Sequence, residues 1–204
     1  LDLSQNTALT TLNISDNNFS SINITQNTAL EQLSCEDNLL TSLDVSNNTS
    51  LRYFICGDNQ LTNLNISTNP ALTYLGCHAN QLSSLDVSNN TALEVLSFGK
   101  NQLSMIDVRN NTSLNEIRCY ENQLIYLDLS LNINLTKVDL SYNPLTCLNL
   151  KNGFNTNIVV FNSKENPNLN CIEVDNPSWS TSNWLNVDSN LNFSSNCSYP
   201  ASCF

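Results

Sequence analysis

The chain has little to do chemistry with. It holds one histidine, His78, so any Ser-His-Asp or Cys-His nucleophilic arrangement would have to run through that residue. Four glycines in 204 residues leave no phosphate-cradling loop. Eighteen acidic side chains could in principle supply the two carboxylates of a glycosidase, but no pair stands apart by position. Neither catalysis nor a cofactor is expected. The cysteines are more orderly: of eight, Cys35, Cys56 and Cys77 stand 21 residues apart, and Cys119 follows at twice that step. A second column, Asp2, Asn23, Asp44, Asn65, Asp86, Asp107, Asp128 and Asn149, keeps the same step. It has two readings: a calcium-binding edge rich in oxygen, or short acceptors that tie a backbone turn. Free exchange of Asp with Asn favours the second.

The step of 21 organises the whole chain. Leu9, Leu30, Leu51, Leu72, Leu93, Leu114 and Leu135 fall in register without a slip. Asn17, Asn38, Asn59, Asn80, Asn101, Asn122 and Asn143 form one asparagine ladder, and Asn6 through Asn132 a second. The unit L-x-x-L-x-C-x-x-N-x-L is a leucine-rich-repeat signature. In Gln32-Leu33-Ser34-Cys35-Glu36 apolar residues alternate, so this part is a strand with Leu33 and Cys35 inward. Asn38 then turns the chain, its amide able to satisfy both donors and acceptors of a buried bend. A coil this short has no room for a helix on its far side. The expected fold is a right-handed leucine-rich-repeat solenoid, nearly all β and turn. It has a single curved parallel sheet of eight strands, centred near residues 13, 34, 55, 76, 97, 118, 139 and 161.

Residues 1–170 form about eight coils, with a two-residue insertion between Lys151 and Asn157. Residues 171–204 read as a C-terminal cap, because a solenoid end exposes a slab of leucine that must be covered. Trp179 and Trp184 suit that task, and an aromatic sugar platform is the other reading for them. Cys35, Cys56, Cys77 and Cys119 are expected to be buried free thiols in a ladder. Cys171 and Cys197 lie outside it and are expected to pair, which suits an oxidising compartment. Cys147 and Cys203 are left over, and whether they pair stays open. The N-x-S/T triplets, Asn65 and Asn89 among them, arise from the repeat itself.

The cysteine-bearing unit resembles the 21-residue repeats of internalin-J-like surface proteins and repeats of exported Bacteroidetes proteins. The segment from Asn168 to Asp175, with Trp179, Trp184 and Phe193–Cys197, is similar to a cap that often precedes a secretion-sorting domain in the latter. The resemblance implies an extracellular or surface-attached binding or adhesion module. Phe98 departs from the pattern, replacing the ladder cysteine in one coil. The chain opens in mid-pattern at Leu1 without a Met, which reads as a mature or excised domain.

Composition sets bounds on partners. A net charge of −11 with seven Lys+Arg excludes a phosphate track for nucleic acid. No apolar run approaches the roughly 20 residues of a membrane span. What varies from coil to coil is the outward strand face, and a scaffold that repeats everywhere else is free to specialise it. There Tyr53, Ile55, Tyr74 and Val95 cluster, with Asp58, His78, Lys100, Arg118 and Tyr120 around them. Gly57, Gly76 and Gly99 are expected to leave a shallow depression nearby. Tyr and Arg are enriched at binding hot spots. The expected function is a secreted or cell-surface module, acting as a monomer, that binds a protein or a glycan on this concave face. The alternative is a structural spacer or accessory domain of a larger exported protein or enzyme.

Overall fold

A computed structural model describes residues 1–200 and 203. Twelve strands of three residues each occur in chain order. They are β1 (Thr11–Asn13), β2 (Gln32–Ser34), β3 (Tyr53–Ile55), β4 (Tyr74–Gly76), β5 (Val95–Ser97), β6 (Glu116–Arg118), β7 (Tyr126–Asp128), β8 (Lys137–Asp139), β9 (Cys147–Asn149), β10 (Val160–Asn162), β11 (Cys171–Glu173) and β12 (Asn192–Ser194). Eight of them form one parallel sheet in the order β1-β2-β3-β4-β5-β6-β8-β10. In the regular coils each residue pairs with the one 21 positions later, Leu33 with Phe54 and Phe54 with Leu75. Most of these strands centre one residue before the positions read from the repeat.

The structure adds a second parallel sheet, β12-β11-β9-β7, on the opposite wall of the C-terminal half. One position differs where it begins, the residue before the inward leucine or isoleucine. Ser42, Asn63, Ser84 and Met105 stand at this position in coils without the strand, and Tyr126, whose aromatic ring suits a pleated surface, opens the first strand of the second sheet. The repeat geometry also runs beyond the regular coils. Asn186 bridges Asn162 in the first sheet, and β12 pairs with β11 in the second, so the chain completes about nine turns. The insertion is a 3-10 turn, Asn155–Asn157.

Inside the coils the leucines stack into one core, with Leu33, Phe54, Leu75, Leu96 and Ile117 wholly buried. No coil could bury these side chains alone, so stability comes from the neighbours on either side. Asparagines satisfy the turns. The Asn80 Nδ2 donates to the carbonyls of Cys56, Cys77 and His78, while its Oδ1 accepts from the Leu61 amide at 2.9 Å. Asn38, Asn59, Asn101, Asn122 and Asn143 repeat the pattern. In the second ladder Asn69 donates to Val45 and Asn48 of the preceding coil. All eight members of the Asp/Asn column accept a hydrogen bond from the backbone amide two residues on, at 2.9–3.1 Å. That is the turn-tying geometry. The Ser46 and Ser88 hydroxyls and amides hold the Asp44 and Asp86 carboxyls below the ordinary carboxylate range.

Trp184 is the plug of the C-terminal end. It is buried, stacks on Phe161 at 4.2 Å and meets Trp179 and Phe193 edge-on. Its Nε1 donates to the Ile158 carbonyl. Burial of its ring excludes the sugar-platform reading for Trp184. A short helix, α1 (Pro177–Asn183), carries Trp179 and is capped by Asn176. Disulfides join Cys171 to Cys197 and Cys147 to Cys203, so the two left-over cysteines do pair. The Tyr199 hydroxyl fastens the same strap, donating to the Cys171 carbonyl at 2.6 Å.

Cys35, Cys56, Cys77 and Cys119 are free and buried. Loss of solvation pushes the Cys35 and Cys77 thiols up to about 12, and Cys56 and Cys119 well above their ordinary value. A thiol held protonated and sealed from solvent is inert. These four cysteines are therefore expected to take up no iodoacetamide in the native protein and to label fully in denaturant, as read by mass spectrometry of the digested chain. Rapid native labelling at any of them would mean the ladder is open.

Candidate functional site

The outward side chains of the long sheet fall into columns because each coil repeats the last in register. The first column contains Gln32, Tyr53, Tyr74, Val95, Glu116 and Lys137. Tyr53 and Tyr74 are direct partners, and their rings stack with centroids 4.5 Å apart and planes 27° apart. Tyr53 stays exposed and Tyr74 is half-buried. Burial, then the neighbouring Tyr53, raises the Tyr74 phenol above its ordinary value.

The second column sets Ile55 against Gly76 and Ser97 against Arg118. Ile55 is half-buried rather than fully exposed, because it and the Tyr74 ring both lean toward the space above Gly76. The expected depression over the glycines is not there. A Cβ on Gly57 would stand 2.5 Å from the His78 ring, and one on Gly99 would stand 2.5 Å from the Tyr120 ring. Each of these two glycines is roofed by the ring from the next coil, so they make room for rings rather than leaving a hollow.

Arg118 forms an ion pair with Glu116, and the Lys137 Nζ lies 3.2 Å from the other Glu116 oxygen. Glu116 is buried beneath the two cations. The His78 Nε2 lies 3.0 Å from Asp58 and 3.2 Å from Glu36. Asp58 and Lys100 sit at the rim, in the left-handed turn that follows each strand, with φ of 49° and 55°.

The predicted residues therefore fall into three neighbouring groups. The tyrosine pair has Ile55 and Val95 beside it, the Arg118 ion pair lies further along the sheet, and His78 meets Asp58 at one rim. Lys100 and Tyr120 continue that rim without joining the stack. Two residues were missed. Glu36 could have been found from its column, Glu36-Gly57-His78, where the glycine lets a long ring cross a coil. Glu116 could have been found from its place directly beside Lys137, since opposite charges on adjacent strands pair.

No protein-family profile and no curated protein sequence matches the chain. Among solved structures it is similar to the functional domain of InlJ from Listeria monocytogenes, which includes a cysteine ladder. The two share 36% identity with a TM-score of 0.79, covering 87% of this chain and 42% of that one. The chain described here has that ladder too, at Cys35, Cys56, Cys77 and Cys119. It has the fold of a leucine-rich-repeat protein with a cysteine ladder. An internalin, inlF, of the same species is similar at 23% identity and a TM-score of 0.71, over 94% of this chain and 55% of that one. A leucine-rich-repeat protein of Leptospira interrogans is similar at 19% identity and a TM-score of 0.59, over 94% and 57%. These two likenesses concern the fold alone. The cysteine-ladder chain spans less than two thirds of each of the three. No helix among its described residues is long and apolar enough to cross a membrane.

Proposed function

We propose that this chain is an exported, surface-displayed binding module that recognises a protein partner through its concave sheet, with Tyr53 and Tyr74 at the centre. The observation that carries this reading is the stacked tyrosine pair. The core beneath it is complete in Phe54 and Leu75, so the fold needs neither ring, and a spacer has no use for them. One face of each ring is covered by the other, which suits packing into a protein surface better than the open ring face on which a sugar would lie. A glycan ligand is therefore the second reading. Arg118 and Lys137, further along the same sheet and half-exposed, add cations to this face of an acidic chain. Two disulfides suit an oxidising compartment, and InlJ, an internalin-type neighbour, shares the repeat architecture. No catalytic role is assigned, and the module acts as a monomer.

A photoreactive residue tests this directly. Placed at position 55, beside the stack, it is expected to cross-link to one discrete protein on the surface to which the chain is presented. The same residue at position 86, on the opposite wall, is expected to give no such product. Equal cross-linking from the two positions would remove the concave face as the recognition surface. No product from either would favour the spacer.

A further inference from the structure

We propose that Glu36, Asp58 and His78 form a binding site for a divalent transition-metal ion, zinc being the best fit. The three side chains come from three successive coils, and one potential ligand atom of each lies within 4.8 Å of the others. The His78 Nε2 is 3.2 Å from the Glu36 Oε1 and 3.0 Å from the Asp58 Oδ2. Zinc bonds to nitrogen and oxygen at about 2.0–2.2 Å, which places the ligands of a tetrahedral centre roughly 3.4 Å apart. The two distances from His78 are already close to that spacing.

Two features argue that this is more than an ion pair. First, the donors and acceptors do not balance. A neutral imidazole offers at most one N–H at Nε2, and two carboxylates converge on it. A divalent cation satisfies both carboxylates and the ring nitrogen together. Second, the ring has a seat. Gly57 lies beneath it, and a Cβ there would stand 2.5–2.9 Å from Cε1, Nδ1 and Nε2. That vacancy lets His78 lie across the neighbouring coil and reach Glu36 two coils away. The donor set also selects the ion. Calcium takes six to eight oxygens, whereas imidazole with carboxylate suits zinc and its neighbours. Three protein ligands leave a fourth position open toward solvent. The ladder cysteines are buried in the core on the inward face of the strands and do not compete. The site does not depend on the tyrosine patch binding anything.

The test is calorimetric titration of the tag-free, chelator-stripped chain with zinc chloride. Saturable one-to-one binding is expected, undiminished by excess calcium. His78→Ala should abolish it. Glu36→Gln and Asp58→Asn should each weaken it by at least the roughly 10–100-fold that loss of an outer-shell partner costs. Gly57→Ala keeps all three ligands and has no φ conflict, yet pushes the ring from its seat, so it should weaken zinc with little change in melting temperature. The proposal is overturned if the wild-type chain does not bind zinc. It is overturned equally if binding survives His78→Ala, is unchanged in Gly57→Ala, or gives way to calcium.

Discussion

Replacing Asn80 with alanine is expected to destabilise the protein by about 3 kcal/mol, far more than its single small amide suggests. Not all four of its hydrogen bonds matter equally. The carbonyls of Cys56 and Cys77 each receive a second amide, from Asn59 and Asn101, and the His78 carbonyl also accepts from the Asp58 amide. The Leu61 N–H is different, because its bond is to the Asn80 Oδ1. It is buried, and leaving such a donor unpaired costs about 1–3 kcal/mol. The remainder is the lost second donor to three carbonyls and the void left by the amide. Asn80→Asp should do at least as much harm, since its carboxylate would accept from Leu61 but face three carbonyl oxygens. Asp86→Asn on the other wall is the contrast. It keeps the acceptor for the Ser88 amide and lies in solvent, so its effect should stay within about 0.5 kcal/mol. Denaturant melts of the three variants decide this. Equal effects for Asn80→Ala and Asp86→Asn would mean the buried ladder is not what holds the turn.

Much of this architecture could be read from one dimension. A strict step of 21 fixes the register, because in-phase leucines can stack only if each coil repeats the last. The alternation in Gln32–Glu36 fixes which side chains face inward. What the step does not contain is how a side chain leans once it leaves the sheet. The rings of His78 and Tyr120 tilt onto Gly57 and Gly99 of the preceding coil, so a hollow inferred from missing side chains is filled by the neighbours. The meeting of His78 with Glu36 is legible only once the glycine in the column Glu36-Gly57-His78 is read as a gap that a ring can cross, so that residues two coils apart touch. The second sheet arises in a segment whose repeat step is the same as in coils that form no strand there, so the period alone does not announce it. The Cys147–Cys203 pairing depends on where a non-repetitive strap returns, and no period describes that path.

Truncating the stacked tyrosines tests the proposed recognition surface most sharply. Tyr53→Ala or Tyr74→Ala is expected to weaken a concave-face partner by about 2 kcal/mol or more, roughly thirtyfold in affinity. Neither ring fills the core, so the cost to stability is confined to the lost stacking, about 0.5–1.5 kcal/mol. For a domain of this size that lowers the melting temperature by only a few degrees. Because the rings touch, their contributions should not add. Removing one leaves the other unsupported, so the double variant should lose less than the sum of the two single losses. Tyr→Phe at either position separates ring from hydroxyl: affinity retained in phenylalanine assigns the energy to the packed ring, and affinity lost assigns it to the phenol. Titration of the partner against each variant by surface plasmon resonance, with Asp86→Asn as the far-wall control, reads all of these. An affinity that survives both tyrosine truncations but falls with changes in the cap or the opposite wall would make the long sheet a scaffold, with recognition elsewhere on the coil.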